Sequence, residues 1–175
     1  MFAVALEPSL DGLRDTARAL TRRPLPNIAL VVTSVEAAAF DGIADEATIH
    51  FPWGALLDSV LGSRADVLAA VARTLRPGAR LRILLSTIER DGREPLNVTN
   101  LDGLRAAYAA AGLALQDVRV AIRSDIEDAH SSWGKRLDAG SSRPAFVLRC
   151  VRRGDGAASL LPAGGPDERA RAEDR

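Results

Sequence analysis

The sequence predicts an α/β fold built on a mostly parallel sheet. Short apolar, β-branched runs alternate with Ala/Leu/Arg-rich stretches of helical period, and Pro or Gly punctuates the joins. With 175 residues, 47% apolar and 26% charged, the chain is long enough for one domain with a sizeable core. That composition excludes wholesale disorder.

The elements follow in order. Residues 2–6 form a short apolar run closed by Glu7-Pro8. Ser9 stands where a helix cap belongs, and Leu13, Ala17 and Leu20 share one face of a helix reaching about Arg23, which Pro24 and Pro26 end. Residues 27–33, with Ile28, Leu30, Val31 and Val32, read as a buried parallel strand, and residues 47–51 as another, closed by Pro52-Trp53-Gly54. Ser63 and Asp66 resemble a capping box that opens a helix over 64–75, stopped by Pro77-Gly78. Residues 81–86 are the next strand. Thr99 or Asn100 caps a helix over 101–111, with Gly112 at the left-handed position beyond it. Residues 113–122 and 145–151 are the last two strands. No helical stretch long enough for a crossover separates them, so they pair antiparallel. The domain is expected to span 1–153. Residues 154–175, with four glycines and two prolines, are expected to form a disordered tail.

Charge and cysteine usage narrow the function classes. Lys plus Arg equals Asp plus Glu at 23 each, which excludes a charge-dominated grip on nucleic acid. A local patch survives that argument. Over 134–153 the basic residues are Lys135, Arg136, Arg143, Arg149, Arg152 and Arg153 against Asp138 alone, a net +5. This stretch reads either as a nucleic-acid contact or as a solvated strand edge. The single cysteine, Cys150, excludes a disulfide framework and fits a reducing, cytoplasmic setting. His50 and His130 have no metal-ligand spacing, so no metal is assigned. No run approaches the ~20 apolar residues that span a bilayer, and the start lacks the basic flank of a signal peptide.

The two tryptophans are the sharpest signal. Trp53 follows a predicted strand in Phe51-Pro52-Trp53-Gly54, at the strand end where ligands bind in open α/β sheets. Trp133 lies in Ser131-Ser132-Trp133-Gly134-Lys135-Arg136, between the last two strands. Each indole alone reads as core packing; two in turn-like segments, one beside basic residues, read as a pair for stacking a base. Glu7 and Glu36 also follow strands. A carboxylate there suits ribose hydroxyls or an exocyclic amino group, or merely caps a helix.

Taken together, Phe51-Pro52-Trp53-Gly54-Ala55-Leu56-Leu57, Leu75-Arg76-Pro77-Gly78, Ser131-Ser132-Trp133-Gly134-Lys135-Arg136-Leu137 and Arg143-Pro144-Ala145-Phe146 resemble the 16S rRNA (adenine-1408-N1) methyltransferases. These are class I S-adenosylmethionine-dependent enzymes associated with aminoglycoside resistance. The resemblance covers residues 2 to about 151; Leu-Arg-Pro-Gly is a weak carrier and the two tryptophan segments are the specific ones. It implies a Rossmann-like sheet, S-adenosylmethionine as cofactor, and 16S rRNA in the small ribosomal subunit as partner, with the protein a monomer. Carried over, Glu7 would bind the cofactor's ribose, where the family more often has Asp. Val35 and Glu36 would contact its adenine, and Phe51 and Pro52 would line the site. Trp53 and Trp133 would sandwich the target adenine, Ser131 would orient the second tryptophan segment, and Lys135, Arg136 and Arg143 would grip the rRNA backbone.

One departure stands out. Class I domains open with a strand and a glycine-rich turn that cradles the cofactor, and no such turn occurs near Phe2. The chain starts at what would be the second strand, so a fragment of a longer protein is expected, with a remnant as the alternative. On that reading these 175 residues alone bind the cofactor weakly or not at all. The competing functions are methylation of another RNA or a small molecule, and non-catalytic RNA or ribosome binding.

Overall fold

A computed structural model describes residues 1–87, 95–131 and 143–154. The predicted tail, apart from Gly154, lies outside the described residues.

Strand β1 (Ala3–Glu7) leads into helix α1 (Leu10–Arg22) and strand β2 (Ile28–Val32), which pairs parallel with β1 from Ala3↔Ile28 to Glu7↔Val32. Neither strand contains a buried residue. The expectation of a buried strand at 27–33 is therefore corrected: β2 is half-buried, and Val32 is exposed. Ser9 does take the N-cap position of α1, but its side chain makes no cap bond. Its backbone N–H instead donates to Glu7 Oε1 at 3.1 Å.

The remaining strands form a second sheet in the order β3-β4-β6-β5. These are β3 (Ala44–His50), β4 (Leu75–Leu85), β5 (Leu113–Val120) and β6 (Phe146–Arg152). β3 and β4 run parallel, and β6 runs antiparallel to both of its neighbours. Between the strands lie α2 (Gly54–Val60), α3 (Ala65–Thr74), α4 (Val98–Asp102), α5 (Arg105–Ala110) and α6 (Arg123–Asp128).

Several local expectations are corrected, each for a visible reason. The Ser63/Asp66 capping box does not form: Arg64 is the N-cap of α3, and its guanidinium takes Asp66. The hydroxyl that serves this helix is Ser59, fully buried at the end of α2, which accepts from Leu68 N at 2.7 Å and donates to Arg64 O at 2.6 Å. Pro77-Gly78 lies inside β4 rather than ending a helix. Ala44 pairs with Leu75 and Glu46 with Arg80, so the extra β4 residues bulge, and Gly78 adopts φ +81 there. The helix expected at 101–111 is two short helices interrupted at Gly103-Leu104, and its cap is Asn97, whose side chain accepts from Asn100 N at 2.8 Å.

Alternation sorts the sheet faces. Leu81, Ile83 and Leu85 of β4, with Leu148 and Cys150 of β6, point into the main core beneath α2, α3 and α5. Tyr108 from α5 fills its centre and donates its hydroxyl to Val60 O at 3.0 Å. The opposite face carries Arg82 and Arg149, directly paired across β4 and β6.

Candidate active site at the end of the four-stranded sheet

Register places several predicted residues at one end of this sheet. His50 pairs with Leu84, Leu85 with Phe146, and Val120 with Phe146. Because β6 is reversed, its beginning lies beside the carboxyl ends of β3, β4 and β5. Residues 51–53, 86–87, 121–131 and 143–145 therefore leave the sheet together.

The turn after β3 holds one of the two non-glycine residues with positive φ in the described chain. Phe51 N–H donates to Leu84 O at 2.7 Å, which carries the ladder one residue past β3. Phe51 then adopts φ +50, a left-handed conformation that a bulky residue tolerates only under tertiary constraint, and Gly54 adopts φ +56. The constraint is burial: Phe51 is 2% exposed, in a second cluster with Leu84, Ala145 and Val147. Ala121, Ile126 and Ala129 pack against this cluster. Pro52 is buried too, whereas Trp53 is 73% exposed. Core packing is thereby set aside for Trp53. The strained turn drives Phe51 and Pro52 inward and presents the indole to solvent.

The same cluster joins both flanks of the segment that carries Trp133. Ala129, just after α6, and Ala145, just before β6, both belong to it. The second flank is held further by Ser86, whose hydroxyl donates to Pro144 O at 2.9 Å, and by Ala121 N–H, which donates to Ala145 O at 2.7 Å. Ser131 and Arg143 are half-buried at the two flanks. Trp133, Lys135 and Arg136 lie outside the described residues. The structure thus brings Phe51, Pro52, Trp53, Ser131 and Arg143 to one end of the sheet.

Glu7, Val35 and Glu36 belong to the two-stranded sheet and the segment after it. Glu7 is half-buried at the carboxyl end of β1, and its side chain lies across Gly12: a Cβ there would stand 2.7 Å from Glu7 Cγ and Cδ. Val35 packs on the main core. Glu36 is exposed beside α3, where its carbonyl accepts from Arg73 Nη2 at 3.3 Å.

Sequence reasoning missed a charged junction at this end. Asp125 of α6 is 5% exposed and accepts from Arg82 Nη2 at 2.7 Å, from Arg119 Nη1 and Nη2 at 2.6 and 2.8 Å, and from Ile122 N at 2.9 Å. The Arg119 hydrogen bonds, chiefly, hold its carboxyl well below the usual carboxylate range. His50, half-buried near Arg82, is lowered first by burial and then by that guanidinium. The only sequence hint was an acid three residues after a helix start.

Among the described residues no group of three His, Cys, Asp or Glu side chains is placed to hold a metal, and no helix is long and apolar enough to cross a membrane.

Residues 1–152 match the family model described as NpmA, 16S rRNA (adenine(1408)-N(1))-methyltransferase. The 16S rRNA (adenine(1408)-N(1))-methyltransferase of Streptoalloteichus hindustanus is 31% identical over 81% of this chain and 72% of its own, and that of Escherichia coli is 26% identical over 83% and 74%. Among solved structures, the W203A mutant of the Catenulisporales acidiphilia methyltransferase, with cosubstrate SAM, superposes with TM-score 0.76. It is 31% identical, over 87% of this chain and 75% of that one. The 16S rRNA methyltransferase KamB superposes with TM-score 0.75 at 26% identity, over 87% and 77%. By sequence and by fold, the chain belongs to the 16S rRNA (adenine(1408)-N(1))-methyltransferase family.

Proposed function

We propose that this protein transfers a methyl group from S-adenosylmethionine to N1 of an adenine in the 16S rRNA decoding site. The observation that supports the proposal is the strained Phe51-Pro52-Trp53 turn, which exposes the Trp53 indole while its neighbour Phe51 packs in one cluster with Ala129 and Ala145, on either side of the segment bearing the other tryptophan.

The residues present fit the ribose and adenine of the cofactor. Glu7 offers a half-buried carboxylate at a strand's carboxyl end, with Oε1 engaged by Ser9 N–H and Oε2 facing no described donor. That suits a ribose diol, and Val35 and Glu36 supply an apolar surface and an acceptor for an adenine. When bound, S-adenosylmethionine supplies an electrophilic sulfonium methyl group.

Adenine N1 carries a lone pair and no proton at neutral pH. The reaction therefore asks no general base of this chain, in keeping with the lack of a His/Asp dyad among the proposed residues. What it asks is positioning. A base taken out of its RNA stack needs replacement stacking, worth ~1–3 kcal/mol per base, and Trp53 offers an open indole for it. Trp133 is the proposed second face, Ser131 orients its segment, and Phe51 and Pro52 form the buried floor. Lys135, Arg136 and Arg143 hold rRNA phosphates. The domain is proposed to end near Arg153 and to act as a cytoplasmic monomer.

The test is methyl transfer to purified, unmethylated small ribosomal subunits from labelled S-adenosylmethionine, with the site mapped by primer extension. Label at the decoding-site adenine is expected. Label on another nucleotide, or none with a folded protein shown by calorimetry to bind the cofactor, overturns the proposal.

A further inference from the structure

The six residues of α6 are too few to hold a helix by local propensity. Its place is set by what grips it, and the principal grip is Asp125. That one carboxylate ties α6 to two strands at once, through Arg82 of β4 and Arg119 of β5, and also takes the N–H of Ile122 just before the helix. Arg82 and Arg119 are themselves three-quarters and about two-thirds buried, so the junction is largely shielded from water. Arg82 Nε is buried without a hydrogen-bond partner among the described residues. The site thus tolerates an unpaired donor while keeping the Nη2 contact to Asp125.

From this anchor the chain has little freedom before the site. Ile126, the next residue, packs against the Phe51 cluster, as does Ala129. His130 turns the backbone at φ +45, with its N–H on Glu127 O at 3.1 Å, and Ser131 follows. A shift of Asp125 therefore moves Ala129 and Ser131 relative to Phe51 and Trp53.

We infer that Asp125 is a positioning residue, setting the flank that ends at Ser131 against the Phe51-Pro52-Trp53 turn through Arg82 and Arg119. This rests on the reading that the target adenine is held at this end of the sheet. It touches neither base nor cofactor and acts through α6.

The experiment uses the full chain carrying Asp125→Asn, with Asp125→Glu as the conservative partner. Two quantities are read on protein shown folded by circular dichroism: kcat and cofactor KM for small-subunit methylation, and amide hydrogen exchange at residues 129–131. Asp125→Asn is expected to lower kcat at least tenfold, to leave cofactor KM within twofold, and to speed exchange at these amides. Asp125→Glu restores the charge and should recover part of kcat. If Asp125→Asn fails to fold, Arg82→Gln, which leaves the Arg119 contacts in place, should show the same pattern at smaller amplitude. Unchanged kcat or unchanged exchange in a folded variant overturns the inference. Should the unaltered protein transfer no methyl group, the functional reading falls, and the exchange measurement alone then decides the role of Asp125.

Discussion

Replacing Gly12 by Ala separates a stability effect from a cofactor effect at one position. Gly12 is the third residue of α1, where the added methyl would stand 2.7 Å from Glu7 Cγ and Cδ and 3.0 Å from Oε1. Non-bonded carbons essentially never sit that close, so the flexible Glu7 side chain must rotate away. On stability the terms oppose. Ala gains up to ~1 kcal/mol of helix propensity over Gly, while loss of the Ser9 N–H to Glu7 bond costs about 0.5–1.5 kcal/mol. Thermal unfolding should therefore move by only a few degrees. On the cofactor there is no such cancellation. A hydrogen bond to a charged group contributes ~1.5–3 kcal/mol, and each 1.4 kcal/mol is tenfold in affinity. Displacing the Glu7 carboxylate should raise KM for S-adenosylmethionine about 10- to 100-fold, with kcat at saturation little changed. The assay is small-subunit methylation over a cofactor titration, beside a melting curve on the same preparation. An unchanged KM in Gly12→Ala would refute the assignment of Glu7 to the ribose.

Trp53→Ala should leave the melting temperature nearly unchanged, since an exposed side chain contributes within about 0.5 kcal/mol. In a length-restored protein, methyl transfer should nevertheless be lost while cofactor affinity, measured by calorimetry, stays nearly that of the parent. Ser59→Ala strips a buried acceptor from Leu68 N and a donor from Arg64 O, and should destabilise the fold by about 1–3 kcal/mol in urea unfolding without altering cofactor KM in the folded fraction. Asp125 carries an acid-side prediction. Its carboxyl is depressed in the folded state, so its stabilisation is fully present above the ordinary carboxylate value near pH 4 and is lost as pH falls through that range toward its own lower value. Unfolding free energy measured from pH 5 downward should fall less steeply in Asp125→Asn than in the parent.

How much of this was legible depended on whether the cause was local. The strands were, because a run such as Leu81-Arg82-Ile83-Leu84-Leu85 has few other ways to bury its side chains; Ile28-Ala29-Leu30-Val31-Val32 forms its strand too, although none of its residues is buried. The Phe51-Pro52-Trp53-Gly54 turn was legible as a ligand-facing feature, although not its φ +50 at Phe51, which tertiary packing imposes. Helix caps were read less well. Asp66 was taken by Arg64, and the hydroxyl serving α3 came from Ser59, nine residues before the amide it accepts. α6 lay below the length at which period is readable. Asp125 was invisible for a stronger reason: its partners lie 43 and 6 positions away, and only the pairing of β4 and β5 on either side of β6 brings them together.

The reversal of β6 carries an evolutionary consequence. A parallel final strand would force the connection from Val120 to Phe146 to traverse the sheet from end to end, which fixes a minimum length and commits the chain to a covering helix. Running backwards between β4 and β5, β6 begins where β5 stops, with Val120 and Phe146 directly paired. Whatever chain joins them leaves and returns at a single edge. Insertions between its packed anchors, Ala129 and Ala145, therefore leave the ladder and the core beneath as they are, while the anchors themselves stay tied to the Phe51 cluster. The domain thus accepts added chain at this end without rebuilding its sheet, at the same end as the turn that exposes Trp53.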